Sequence, residues 1–209
     1  ERGRVQLSAL NPASGQWRSL GWLVGHSRAI TALAFAAQNR LVSASGDNTC
    51  GVWDVTTRKE LSELSLKHPG WVSDLAVSVD GTTAVTGCDD GALRVWDLTT
   101  GKLVRLLLPP HEEAAVTAVD LSADGQLVAA TCAAAGTVRL WNAASGEELT
   151  SPGADGSPAA WLIADRRSGQ VWAARFAPDG RGVLVIGGND AQLLSVADRT
   201  LLARFSPHG

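Results

Sequence analysis

The stretch VWDVTTRK at residues 52–59 returns as VWDLTTGK at 95–102 and, more loosely, as LWNAASGE at 140–147. This echo constrains the fold more than any other feature. A chain that repeats itself every 43–45 residues builds a row of equivalent units, each too small to bury its own apolar face. A weaker echo, ALNPASGQ at 9–16, puts Leu10 in the column of Trp53, Trp96 and Trp141, with spacings of 43, 43 and 45 residues. A fourth unit ends near Leu194 to Val196, where the motif has decayed.

Two further columns run in step with the first. His26, His68 and His111 each precede an alternating apolar segment; Arg167 stands near that position in the fourth unit, and His208 opens a fifth. Asp80-Gly81, Asp124-Gly125 and Asp179-Gly180 follow the start of the alternating segment, with Gln38-Asn39 in their place in the first unit. Asp-Gly between two alternating runs signals a tight hairpin turn, because a primed turn needs positive φ. Each unit therefore reads as four short strands, in the second unit near 71–78, 83–87, 92–97 and 102–107. Four antiparallel strands per 40–45 residues is the arithmetic of a β-propeller blade, and no helical period persists, so the fold class is all-β.

Histidine after a small residue, then Asp-Gly, then Trp-Asp before a turn resembles the WD40 repeat, over nearly the whole chain. The resemblance implies a β-propeller of four-stranded antiparallel blades, locked by a tetrad of hydrogen-bonded side chains. The matching residues are His26, Ser43, Asp47 and Trp53 in the first unit and His68, Thr86, Asp90 and Trp96 in the second. The turn aspartate is expected to accept from the imidazole, whose other nitrogen meets the hydroxyl, which accepts from the indole N–H. Asp97 is expected to cap the turn after Trp96. The third unit keeps His111, Thr131 and Trp141 but has Ala135 for the aspartate, and the fourth keeps only Asp190. A His–Asp–Thr catalytic relay is the competing reading. Recurrence of the same spacing in two tandem units favours the structural one.

Composition narrows the function classes. Net charge is −3, charged residues are 19%, and no Lys/Arg run reaches four, so neither nucleic acid nor membrane is an expected partner. Cys50, Cys88 and Cys132 are odd in number and lack C-x-x-C spacing, which points to buried thiols in a reducing compartment and a cytoplasmic rather than secreted protein. No apolar run approaches the ~18 residues of a membrane span, and residues 1–25 lack a signal-peptide layout. The first residue is not Met, so Glu1 reads as lying inside a longer product. Nucleophile-elbow, zinc-protease, P-loop and dinucleotide motifs are absent, so no enzyme activity, cofactor or metal is expected.

The expected division is a partial blade of two outer strands at 1–25, blades at 26–66, 67–109 and 110–150, a long inter-blade loop at 151–170, a blade at 171–206, and the start of another repeat at 207–209. Eighteen strands do not close a ring, so the chain reads as an incomplete arc of a larger propeller. The long Gly/Ser/Pro-rich loop offers Trp161, Arg166 and Arg167 as partner-binding residues. Trp71 and Trp172 read as core between blades, and Trp17 and Trp22 stay open between core and surface. The family implies a non-catalytic protein–protein interaction scaffold whose partners are other proteins and the missing blades. The alternative is the regulatory or sensor arm of a multi-domain enzyme, an NTPase or kinase. Cytoskeletal, ciliary and nuclear sites are open to the family beside the cytoplasm.

Overall fold

The computed structural model describes residues 3–108, 115–132, 137–149, 151–152, 158–159, 161–162, 171–187 and 190–205. Strands β1 (Arg4–Leu10) and β2 (Trp17–Val24) form a hairpin. The first full sheet follows, with β3 (Ile30–Ala36), β4 (Arg40–Ser45), β5 (Thr49–Asp54) and a split outer strand, β6 (Lys59–Glu60) and β7 (Leu66–Lys67), around a 3-10 turn at Ser62–Leu64. The second is a meander of β8 (Val72–Val77), β9 (Thr83–Cys88), β10 (Leu93–Asp97) and β11 (Lys102–Leu108). The third is built from β12 (Val116–Leu121), β13 (Leu127–Cys132) and β14 (Thr137–Asn142). A short pair, β15 (Ser151–Pro152) with β16 (Pro158–Ala159), then precedes its last strand, β17 (Trp161–Leu162). The fourth is β18 (Val171–Phe176), β19 (Gly182–Gly187), β20 (Asp190–Ser195) and β21 (Leu201–Phe205). These are the four-stranded antiparallel blades that the period implies.

The sheets stack through alternating apolar faces. Leu75, Ala84 and Trp96 of the second pack on Val42, Ala44 and Val52 of the first. Val116, Val128 and Trp141 of the third pack on Val85, Leu93 and Val95 of the second. Val171, Ala174 and Val183 of the fourth meet Ala129, Val138 and Leu140 of the third. Each anchor tryptophan thus faces the preceding blade, and each fully buried Val or Leu contributes about 1.5–3 kcal/mol. The β1–β2 hairpin covers Leu41 and Trp53 with Val5, Leu7 and Leu23. It pairs Leu10 with Trp17, seven residues on, as Trp53 pairs with Glu60, Trp96 with Leu103 and Trp141 with Glu148. The hairpin is therefore the outer half of a blade, with Leu10 in the anchor column.

The innermost strands carry a β-bulge at the same place in all four sheets, where Thr31, Ser73, Thr117 and Trp172 stand. Thr31 Oγ1 donates to the Val72 carbonyl of the next blade at 2.8 Å, and Ser73 Oγ donates to that of Val116. Asp74 Oδ2 accepts the Val119 N–H at 2.9 Å, and Asp120 Oδ2 accepts the Phe176 N–H at 2.7 Å. These bonds satisfy edge groups that would otherwise be unpaired, and they tie each inner strand to its neighbour.

Two local expectations differ from the structure. In the Asp-Gly turns only the glycine has positive φ, 70° at Gly81 and 68° at Gly125, while Asp80 and Asp124 accept the N–H two residues on. The aspartate acts as a side-chain brace instead of entering the left-handed region. The first unit, lacking Asp-Gly, places both Gln38 and Asn39 at positive φ, 60° and 59°. Second, residues 161–162, which fall within the expected inter-blade loop, pair with β14 of the third blade. Glu148 bridges Trp141 and, after the insert, Trp161 pairs with Val138, so both halves of the outer strand pair with β14. The outer edge of β14 thus pairs with two separate segments, at Glu148 and at 161–162, as that of β5 pairs with β6 and β7 in the first blade.

Candidate functional site

The first unit forms the complete network. His26 Nδ1 lies 2.9 Å from Asp47 Oδ2 and His26 Nε2 lies 2.7 Å from Ser43 Oγ, which accepts the Trp53 indole N–H at 2.7 Å. Asp47 also accepts the Ser27 N–H at 2.9 Å and the Thr49 hydroxyl at 2.6 Å. Burial opposes its ionisation, but the bonds from Thr49, Ser27 and His26 outweigh that and lower its pKa. Within this network each polar side chain is engaged by another group of the same blade.

The second unit is wired differently. His68 Nε2 meets Thr86 Oγ1 at 2.9 Å, and Thr86 accepts the Trp96 indole at 2.9 Å. Asp90 does not reach His68. Its carboxylate is held by Arg94 through Nη2–Oδ2 at 2.6 Å and Nη1–Oδ1 at 3.2 Å, and it accepts the Ala92 N–H. A two-pronged charge-assisted pair outcompetes a neutral imidazole for one acceptor. His68 Nδ1 is left buried without a hydrogen bond of normal geometry, though the Leu66 carbonyl favours its proton. Burial and the Arg94 charge push the His68 pKa down to about 4. The residue two before the anchor decides this wiring: it is Gly51 in the first unit and Arg94 in the second. A Cβ at Gly51 would sit 2.9 Å from the Trp53 Nε1. That column was in the sequence and carried the missing signal.

In the third unit Thr131 is not the hydroxyl of a tetrad. Trp141 faces Val128, so the position matching Ser43 and Thr86 is Ala130, and Thr131 lies on the opposite face. The hairpin between β13 and β14 is one residue longer, so an unchanged spacing of ten reaches the wrong face. Thr131 Oγ1 meets Thr117 Oγ1 at 2.8 Å instead. The Arg139 guanidinium lies 5.1 Å from the Trp141 ring and donates to Glu148 through Nε at 2.7 Å, a carboxylate supplied by the outer strand. In the fourth unit Leu194 occupies the anchor position. Asp190 stands four residues before Leu194, where Asp47 and Asp90 stand six before their anchors, and it pairs with Arg204. It is therefore not a turn aspartate. His111, Ala135, Arg166, Arg167 and His208 lie outside the described residues, and Trp161 is placed by its backbone alone.

Asp97 takes its expected role: its carboxylate accepts the Thr99 N–H at 2.7 Å and the hydroxyls of Thr99 and Thr100. Trp71 and Trp172, read as core, are exposed, as are Trp17 and Trp22. Trp172 is the bulge residue of its strand, which turns its side chain off the packed face. Trp71 precedes β8, and its indole lies against Gly46, where a Cβ would come within 3.1 Å of Cε2. Together with Ser27, Arg28 and Ala29 these two residues line a cleft of about 430 Å³ between the first and second blades. Among the described residues no group of acidic, histidine and cysteine side chains is arranged to hold a metal ion.

The WD40 family model, described as "WD domain, G-beta repeat", matches residues 17–54, 59–97 and 101–142, more than half of the chain. The chain belongs to the WD40 repeat family. Each matched stretch of this WD40 chain begins at or just before an outer strand and ends on or next to an anchor Trp. A sequence repeat thus joins the outer strand of one blade to the three inner strands of the next.

Similar WD40 relatives include human "Apoptotic protease-activating factor 1", 36% identical over 111 residues, 50% of this chain and 9% of that protein. A "Coronin-like protein" of Saccharomyces cerevisiae is 38% identical over 85 residues, 40% of this chain and 13% of that protein. "Cross-pathway control WD-repeat protein 2" of Flammulina velutipes is 37% identical over 99 residues, 44% of this chain and 31% of that protein. The chain spans less than a third of the length of each.

Proposed function

We propose that this chain is a section of a longer WD40 propeller and works as a non-catalytic platform for protein–protein contacts. One observation carries the reading: the polar motif residues are consumed in locking blades, while Trp17, Trp22, Trp71 and Trp172 stand exposed on the rigid frame that results. Trp is enriched among residues that dominate binding energy at protein interfaces. A longer propeller fits the open end. Leu33 is 49% exposed, whereas the residues at its register position in the next two blades, Leu75 and Val119, are 6% and 1% exposed. Leu33 and Phe35 would be covered by the inner half of the blade that β1 and β2 complete. The net charge of −3 favours proteins over nucleic acid as partners, and three free, buried cysteines favour a reducing, cytoplasmic setting.

The test is quantitative affinity purification of the natural full-length polypeptide from its source cells, comparing wild type with Trp71→Ala and Trp172→Ala. Loss of a defined set of proteins at unchanged melting temperature supports the platform. An identical set for both variants refutes contact through these tryptophans. A second reading, the regulatory arm of a multi-domain enzyme, draws on the likeness to a protein named for protease activation, of which the matched part is 9%. Intact mass and sequencing of the natural polypeptide separate the two: flanking repeats support the platform alone, and a flanking catalytic domain supports the arm.

A further inference from the structure

From the cleft between the first two blades we infer a docking point for a single carboxylate side chain, Glu or Asp, presented beside an apolar residue by a partner protein. This deepens the platform reading and rests on it. Arg28 lines the cleft, is exposed, and has no ion pair or side-chain hydrogen bond among the described residues. The nearby carboxylate of Asp47 is already taken by His26, the Ser27 N–H and Thr49. Among the described residues Arg28 thus lacks a counter-charge, a role the occupant would fill.

The opposite wall is Trp71, 47% exposed and braced by its approach to Gly46. It offers an apolar face and an indole N–H that makes no hydrogen bond among the described residues. A guanidinium plus a neutral donor matches a planar carboxylate, and the indole face matches an adjoining apolar side chain. Among the described residues no second cation lines the cleft, and the Asp89 carboxylate lies against Gly70, the residue before Trp71. One free positive charge with an acidic neighbour favours a singly charged ligand over a phosphate, which gathers several cations. A held Trp and a free Arg are residue types that concentrate binding energy.

The experiment starts from a displayed random heptapeptide library selected on the natural full-length polypeptide. Enriched peptides are then resynthesised with a fluorophore and measured by polarisation. The expected result is enrichment of one acidic residue next to Leu, Phe or Trp. Affinity should fall at least tenfold when that residue becomes Gln or when the protein carries Arg28→Ala or Trp71→Ala. Arg28→Glu, an exposed change, should instead favour Lys in the same peptide position, which keeps the test readable if Trp71→Ala folds poorly. Enrichment without an acidic residue, binding unaffected by Arg28→Ala, tighter binding of the phosphoserine counterpart, or no enrichment overturns the inference. Peptides that bind but ignore Arg28 and Trp71 would leave the platform reading standing while removing this cleft from it.

Discussion

Ser43 serves two partners at once, accepting the Trp53 indole N–H and meeting the His26 Nε2, both at 2.7 Å. Ser43→Ala leaves both buried groups unpaired and should cost about 2–4 kcal/mol, whereas Ser43→Thr, the hydroxyl used at Thr86, should cost far less. Chemical denaturation of the pair checks this. His68 makes stability pH-dependent. The unfolded chain takes up its proton near the ordinary 6.5 and the folded chain only near 4. Stability is therefore full above about 6.5 and falls as pH drops through that window, by at most about 3 kcal/mol. Asp74 and Asp120, raised by burial, act in the opposite sense above 3.8, so the quantity to measure is the difference in slope between wild type and His68→Gln. Spacing in the sequence revealed which residues share a blade. It could not show that Arg94 would take Asp90 from His68, because the winner is set by charge and reach across a strand.

At the scale of elements, the hairpin turns were legible as Asp-Gly, but not what they touch. Gly81 has positive φ and its missing Cβ would fall 2.3 Å from the Ala37 N of the preceding blade, whereas Gly180, at nearly the same φ, has nothing within 4 Å among the described residues. Gly81→Ala should therefore destabilise clearly more than Gly180→Ala, whose cost is the left-handed strain of about 1–2 kcal/mol. Thermal melts of the two variants test the order. The outer pairing of the third blade is hidden in the sequence for a related reason. Pairing of 161–162 with β14 is a long-range register, and a Gly/Ser/Pro-rich run reads locally as a loop wherever its two ends pair. Thr131 falls on the opposite face because the hairpin has one extra residue, and a single insertion reverses the face of everything counted across it.

For the molecule as a whole, the stacking order follows chain order, so the period alone gave the architecture. The open end is where the described residues depart from it. Leu33→Lys with Phe35→Glu should have opposite effects in two contexts. In residues 1–209 expressed alone it removes apolar exposure and should raise solubility and suppress self-association. In the natural polypeptide it should lower the melting temperature, because a buried unpaired charge is costly. Light scattering of the first and calorimetry of the second decide it; loss of stability in neither context would remove the longer propeller.

The offset between sequence repeat and blade has a mechanical meaning. Each repeat lends its first strand to the sheet before it, as in the match that starts at Lys59 on β6 and ends at Asp97. The blades overlap like roof tiles. A pull on the last strand must unzip β21, β20, β19 and β18 in turn before it loads the sheet beneath. Resistance then comes from a series of latches, and at Trp96 and Trp53 these include the indole–hydroxyl–imidazole clasps.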